Sequence, residues 1–414
     1  MKDSGVEWIG AIPATWTLNK IGEIYEERNE KVSDRDYPPL SITKQGVVPQ
    51  LETAAKTDNG DNRKLIRKND FVINSRSDRR GSCGISEYDG SCSLINTVLN
   101  PRQNMCNAYY SFVFRSELFA DEFYRWGNGI VDDLWSTKWS NMKRIYIPSP
   151  DIEEQQRIAE YLDRKCQRID SVIARQQEAI EKLKAYKLSV ITEAVTKGLN
   201  PDVPMKDSCV EWMGKIPANW GIQKLKYSTT IMRGKFSHRP RNDPRCYDGK
   251  HPFVQTGDVA RASKYITTYS QTLNEFGYTV SKEFPKGSIC MTIAANVGDV
   301  AVLGFDACFP DSVVGFVPNN NVEWNYLYYV LKAMKQQLMR NAIISTQMNL
   351  NIDIIKEEYI PLPSIAEQKE IMLYLDRKCV EIENAIHAKQ QTVDKLSEYK
   401  KSLIYEVVTG KQEV

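Results

Sequence analysis

Two stretches of the chain, 147–195 and 360–408, carry the same arrangement of apolar and polar positions. In the first, Ile158, Leu162, Ile169, Ile173, Ile180, Leu183, Val190 and Ala194 recur at spacings of three, four or seven. Such spacings place side chains on one stripe of a helix. The second repeats the stripe as Ile371, Leu375, Ile382, Ile386, Val393, Leu396, Leu403 and Val407, at an offset of 213. Each stretch predicts a helix of roughly 45 residues, about 68 Å long at 1.5 Å per residue. Neither can bury its stripe alone, and the other copy is the simplest partner. The seven-residue recurrence and polar flanks favour an antiparallel coiled coil, in effect a ruler, over two helices packed on separate cores.

The duplication extends beyond the stripe. Ile147-Pro148-x-Pro150 returns as Ile360-Pro361-x-Pro363, Glu154-Gln155 as Glu367-Gln368, and Tyr161 to Cys166 as Tyr374 to Cys379. Residues 1–20 recur at 205–224 with 13 of 20 identical, including Val6-Glu7-Trp8 against Val210-Glu211-Trp212. The second of these segments follows the breaker run Gly198-Leu199-Asn200-Pro201. The order is therefore segment, domain, helix, taken twice. This divides the chain into a repeat segment (1–24), a first domain (25–147), a central helix (148–204), a second repeat segment (205–228), a second domain (229–360) and a C-terminal helix (361–414).

Both domains show short β-rich runs cut by turn residues, followed by a helix. The runs are 70–74, 84–88 and 94–99 in one, and 289–293, 300–305 and 312–317 in the other. The helices are expected over 109–124 and 324–339. The fold class is thus α+β: two similar α+β domains separated by two long helices that form an antiparallel coiled coil, with pseudo-twofold internal repetition. If the second helix returns beside the first, residues 407–409 end next to Met1 and the N-terminal segment caps the second helix. The expected molecule is then nearly circular.

Composition limits the chemistry. Forty-two per cent hydrophobic and 26% charged residues fit a soluble protein of two or more domains. No run approaches eighteen apolar residues and the opening Met1-Lys2-Asp3-Ser4 is too polar for a secretory signal, so a cytoplasmic protein without membrane association is expected. Nine cysteines without a Cys-x-x-Cys pair and only three histidines fit reduced thiols, and no metal site is expected. No Asn/Asp-Pro-Pro-Tyr/Phe motif and no phosphate-binding Gly-x-x-x-x-Gly-Lys-Ser/Thr loop occurs, which argues against catalysis by this chain.

Charge becomes informative locally. Aligning Phe71-Val72-Ile73 with Ile289-Cys290-Met291 sets the turn bearing Arg76, Arg79 and Arg80 against Thr292 to Val297, which includes Asn296. A guanidinium fork can bond N7 and O6 of guanine as well as phosphate. The second domain carries its cations earlier, at Arg233, Lys235, Arg239 and Arg241, with Phe236 and Tyr247 interleaved. Loops with Lys138 in one domain and Gln347 in the other lead into the long helices. One such cluster alone reads as a solvated face; two on related domains joined by a ruler point to DNA.

The Ile-Pro-x-Pro-(x)3-Glu-Gln helix entries, the Val-Glu-Trp-x-Gly-x-Ile-Pro-x-x-Trp segments, and Gly287-Ser288-Ile289 through Asn296-Val297-Gly298 closely resemble the DNA-specificity subunit of type I restriction-modification systems. The resemblance covers nearly the whole chain. It implies two target-recognition domains, each reading half of a bipartite site on double-stranded DNA. It also implies docking of two methyltransferase subunits on the helices, joined by ATP-dependent restriction subunits. S-adenosylmethionine, ATP and magnesium would belong to those partners. The matching helix positions Glu154, Gln155, Asp163, Arg164, Glu367, Gln368, Asp376 and Arg377 become candidate docking residues. The rival readings are a coiled-coil scaffold that binds no DNA, and the recognition half of a fused restriction-methylation enzyme.

Overall fold

The computed structural model describes the chain apart from residues 51–59, 77–79, 103–104, 130–134, 295 and 344–349, together with the side chains of 341–343. It divides into two compact units, Met1–Gln177 with Gln390–Val414, and Glu178–Lys389. Each long helix, Ile152–Lys197 and Ile365–Val408, begins in one unit and ends in the other. No helix among the described residues is long and apolar enough to cross a membrane.

The proline pairs do not open the helices. Tyr146–Ser149 is a strand, antiparallel to Thr17–Lys20, and Tyr359–Leu362 pairs with Gly221–Lys224 in the same register. Prolines lack the N–H that a helix interior needs, so the helices start after them. Asp151 caps the first by accepting from the Glu154 amide at 2.9 Å. Ser364 and Glu367 cap the second reciprocally: each side chain accepts from the other's backbone N–H, at 3.3 and 3.2 Å.

In the first unit the central sheet runs Cys83–Ile85, Phe71–Asn74, Asn96–Pro101, Tyr25–Glu27, all antiparallel. In the second, Val300–Leu303, Ile289–Thr292, Val313–Pro318 and Thr229–Arg233 take the same order, with Tyr265–Ile266 added in parallel at one edge. The sheets therefore superpose in plan on the alignment of Phe71 with Ile289. Outside this shared frame the units diverge. The first adds the sheet Gly90–Cys92, Arg63–Ile66, Lys31–Val32 and a hairpin, while the second adds Gln271–Leu273, Tyr247–Phe253, Ala307–Cys308, Glu283–Phe284.

The single helix expected in each domain is two. Asn107–Arg115 and Glu117–Arg125 meet at Ser116, whose hydroxyl donates back to the Val113 carbonyl at 2.7 Å and caps the next helix. A serine that bonds its neighbouring backbone competes with the helix ladder, which explains the break. Trp324–Ala333 and Lys335–Ile343 likewise adjoin at Met334.

Both stripes are buried or half-buried throughout. In the first unit Ile158, Leu162 and Ile169 share a core with Leu403, Val407 and Val408. In the second, Val190, Ala194 and Val195 share one with Ile371 and Leu375. Two helical stretches of opposite direction thus pack together inside each unit, and the ion pairs Lys400–Asp170 and Lys187–Glu383 flank them at equivalent places in the repeat. Trp8, Ile12 and Trp16 of the N-terminal segment lie in the same core as Val407, so this segment does close over the end of the second helix.

Candidate nucleic-acid interface and the duplicated helix junction

The junction where segment, domain helix and long helix meet is built twice from the same bonds. The Trp16 indole N–H donates to Glu154 at 2.9 Å, and Trp220 donates to Glu367 at 3.2 Å. The Gln155 amide nitrogen donates to the Pro150 carbonyl at 2.8 Å, while its oxygen accepts from the Cys106 amide at 2.9 Å. Gln368 repeats this with Pro363 at 3.0 Å and the Glu323 amide at 2.8 Å. Outside the core, Arg125 pairs with Glu7 and Arg340 with Glu211.

These contacts correct part of the docking set. Gln155 and Gln368 are only 4% and 0% exposed, and both ends of each amide are used within their own unit, so they tie domain helix to long helix instead of facing a partner. The signal was present in the sequence: Gln155 falls on the buried stripe, one helical turn before Ile158. Glu154 and Glu367 are half-buried acceptors for tryptophan. Asp376 is also engaged internally, by Lys264 and by the Tyr329 hydroxyl at 2.5 Å. Asp163, Arg164 and Arg377 are exposed on the helix surface, with Asp163 accepting from Gln167 at 2.8 Å.

In the first unit the structure brings two predicted loops together. Arg76 forms an isolated bridge with Ser136, and the Thr137 amide donates to the Ser75 carbonyl at 3.0 Å. Exposed Lys138 follows directly, next in the chain to the residue bonded to Ser75. The Arg80 guanidinium carbon stands over the Tyr124 ring, 3.9 Å from its centroid, and the side chain pairs with Asp121 at 2.8 Å. The ring contact and one carboxylate engage part of the guanidinium and leave its other donors available. Arg76, Arg80, Tyr124 and Trp135 line one small cavity. Tyr124 and Asp121 were invisible to sequence reasoning, because the ion pair joins residues 41 apart. Arg79 and Gln347 lie outside the described residues.

Among the described residues, the second unit holds a cluster of exposed cations. Arg233 donates to the Asp311 carbonyl at 2.6 Å, and Arg241 donates to the Asp311 carboxylate at 2.7 Å. Arg239 stands 3.7 Å from the same carboxylate oxygen and donates to the Phe236 and His238 carbonyls at 2.6 and 2.8 Å. Behind them Phe236 is buried against Tyr247 and Phe253. The Arg245 guanidinium and His238 hold the Asp243 carboxyl well below the usual carboxylate range. Arg233, Lys235, Arg239 and Arg241 are all exposed. Asn296 is exposed as well, in the turn between Ile289–Thr292 and Val300–Leu303, where its carbonyl accepts from the Thr292 hydroxyl. Each unit thus presents charged and polar side chains from the same scaffold region, but of different identity and arrangement.

The comparisons with known proteins agree with this duplicated architecture. Residues 13–182 and 231–391 match the family described as the type I restriction modification DNA specificity domain. The chain is 25% identical to the type I restriction enzyme MjaVIII specificity subunit of Methanocaldococcus jannaschii, over 97% of this chain and 93% of that one. It is 24% identical to the EcoBI specificity subunit of Escherichia coli, over 55% of this chain and 50% of that one. A chain from a structural study of complex assembly and conformational transition of the type I restriction-modification system shares the fold, with a TM-score of 0.73 at 16% identity. That match covers 97% of this chain and 100% of the other.

Proposed function

Since the chain belongs to the type I restriction-modification DNA specificity family, we propose that it reads a bipartite, asymmetric site on double-stranded DNA and directs partner subunits to it. The observation that carries this reading is the shared sheet with unlike loops. The strand Phe71–Asn74 is followed in the chain by Arg76 and Arg80, whereas its counterpart Ile289–Thr292 is followed by Asn296. One frame bearing two different polar surfaces suits two different half-sites, because side chains that reach base edges set the sequence while the frame sets their approach.

In this reading the chain performs no chemistry. Adenine methylation and ATP-dependent cleavage belong to two methyltransferase subunits and to restriction subunits, which carry S-adenosylmethionine, ATP and magnesium. Exposed Asp163, Arg164 and Arg377 remain the docking candidates on the helices. The complex works in the cytoplasm, where the DNA is.

The test is methylation-motif sequencing of cells expressing the full chain with its methyltransferase subunits. The expected result is a two-part motif absent when this chain is omitted. Replacing Arg76 and Arg80 with alanine relaxes one half of it, and replacing Arg239 and Arg241 relaxes the other. Methylation independent of this chain, or a motif indifferent to both sets of substitutions, overturns the proposal.

A further inference from the structure

Besides Asp243, which pairs with Arg245 and His238 within the arginine segment, the cationic surface of the second unit contains an acidic residue brought in from a distant turn, whose placement general attraction to DNA does not explain. Between Arg233 and Tyr247 stand Arg233, Lys235, Arg239, Arg241 and Arg245. Of these, Arg233, Arg239 and Arg241 converge on Asp311, which lies 70 residues beyond Arg241. A carboxylate there lowers the potential that attracts phosphates.

Its mounting is rigid. Asp311 lies in a turn closed by the Val313 amide donating to the Pro310 carbonyl at 3.1 Å. That turn is tied to both neighbouring strands, because the Gly234 amide donates to the Val313 carbonyl at 2.8 Å and the Ile293 amide donates to the Ser312 carbonyl at 2.9 Å. The arginine segment is held from behind by buried Phe236 and by the Tyr247 hydroxyl donating to the Arg241 carbonyl. One carboxylate oxygen, Oδ2, receives Arg241 at 2.7 Å and faces Arg239 at 3.7 Å, while the backbone carbonyl takes Arg233. Arg239 and Arg241 stay 54% exposed, so each keeps donors free for a ligand.

An arginine that only neutralises phosphate works from many rotamers, whereas one that forks onto a base edge works from few. Pre-setting the rotamer reduces the ordering lost on binding. We propose that Asp311 is a positioning residue for base reading: it orients Arg233, Arg239 and Arg241 toward the second half-site and gives up general DNA attraction for sequence discrimination. This rests on the DNA-reading function proposed above.

The experiment uses the full chain in complex with its methyltransferase subunits, and two fluorescent duplexes: one carrying the motif found by methylation sequencing, the other with its second half-site scrambled. Fluorescence anisotropy over a potassium chloride series gives both affinities. Asp311→Asn removes the charge, so the scrambled duplex is expected to bind about threefold tighter while the ratio between duplexes falls about tenfold. Asp311→Glu keeps the charge but displaces the acceptor, so the ratio falls with the scrambled-duplex affinity unchanged. Methylation sequencing should then show degeneracy in the second half-site only. Should Asp311→Asn fail to fold, Asp311→Glu decides alone. A ratio preserved in the variants, while Arg241→Ala reduces it, overturns the positioning role and leaves the DNA-reading surface standing. Alanine at Arg233, Arg239 and Arg241 without effect on either duplex removes that surface, and the positioning role with it.

Discussion

The Tyr109 hydroxyl donates to the Val408 carbonyl at 2.9 Å, joining residues 299 apart in the chain. Val408 is the last residue of its helix, and terminal carbonyls have no partner within the helix. Burial pushes the Tyr109 phenol well above its ordinary range. The counterpart in the other unit is Tyr326, which reaches the Val195 carbonyl at 3.3 Å and the Pro361 carbonyl at 3.1 Å. Tyr109→Phe should lower stability by about 1–2 kcal/mol, the cost of leaving a buried carbonyl unpaired. Thermal unfolding of the variant beside Tyr326→Phe checks it. An unchanged midpoint would mean that the end of the second helix is held by apolar packing alone.

Gln155→Leu removes the side-chain bonds that join the first long helix to the Cys106 amide, the Tyr110 hydroxyl and the Pro150 carbonyl. The Cys106 amide and Pro150 carbonyl then lose a partner. A loss of about 2–3 kcal/mol is expected in denaturant unfolding. By contrast, Asp163→Asn on the exposed face should leave stability within about 0.5 kcal/mol. Equal effects from the two would contradict the division into buried ties and exposed surface.

Cys209 adopts φ +57° where the first repeat has Gly5 at +69°. The two turns share their bonds, with Asp207 and Asp3 accepting from the residue-209 and residue-5 amides at 2.8 and 3.0 Å. Left-handed backbone strains a residue bearing a Cβ, and glycine relieves this at some entropic cost. Cys209→Gly should therefore stabilise by about 0.5–1 kcal/mol, read as a raised unfolding midpoint. A lowered midpoint would show that the thiol makes a compensating contact.

Lys332 is expected to make stability depend on alkaline pH. Burial, followed by the nearby Lys187 cation, lowers its ammonium from 10.5 to about 8. Because the folded state releases this proton first, its burial penalty is fully present below pH 8. Stability therefore rises as pH increases from about 8 to 10.5. Lys332→Met should stabilise by about 1–2 kcal/mol at neutral pH, with the advantage shrinking across that window. A pH-independent difference between variant and parent would assign the gain to packing.

Arg80→Ala tests the arginine that stands over Tyr124 in the first unit. If Arg80 reads a base, its loss should weaken the cognate duplex by about 1–3 kcal/mol and relax one motif position. A phosphate contact instead weakens every duplex alike and lowers the salt slope by about one. Tyr124→Leu, which removes the ring under the guanidinium, should reproduce part of the effect. Unchanged binding in both variants would place this arginine off the DNA.

Sequence alone was enough to establish the repeat, the two helical stripes and the matching succession of β-rich runs in the two domains, whereas the order of the strands in each sheet came from the structure. The former depend on local periodicity and on copied residues, both of which a single chain displays directly. The prolines at 148 and 361 marked the helix entries, but only the pairing of Ile147 with Asn19 and of Ile360 with Gln223 showed that they sit in strands. Glu154 and Gln155 looked alike as polar helix residues, yet a single step of about 100° around the helix separates a half-buried acceptor from a buried tie. The partners of the arginines lay beyond sequence reasoning altogether. Asp121 and Asp311 reach Arg80 and Arg241 across 41 and 70 residues. Such electrostatic pairs follow distance in space, and only chain folding sets that distance.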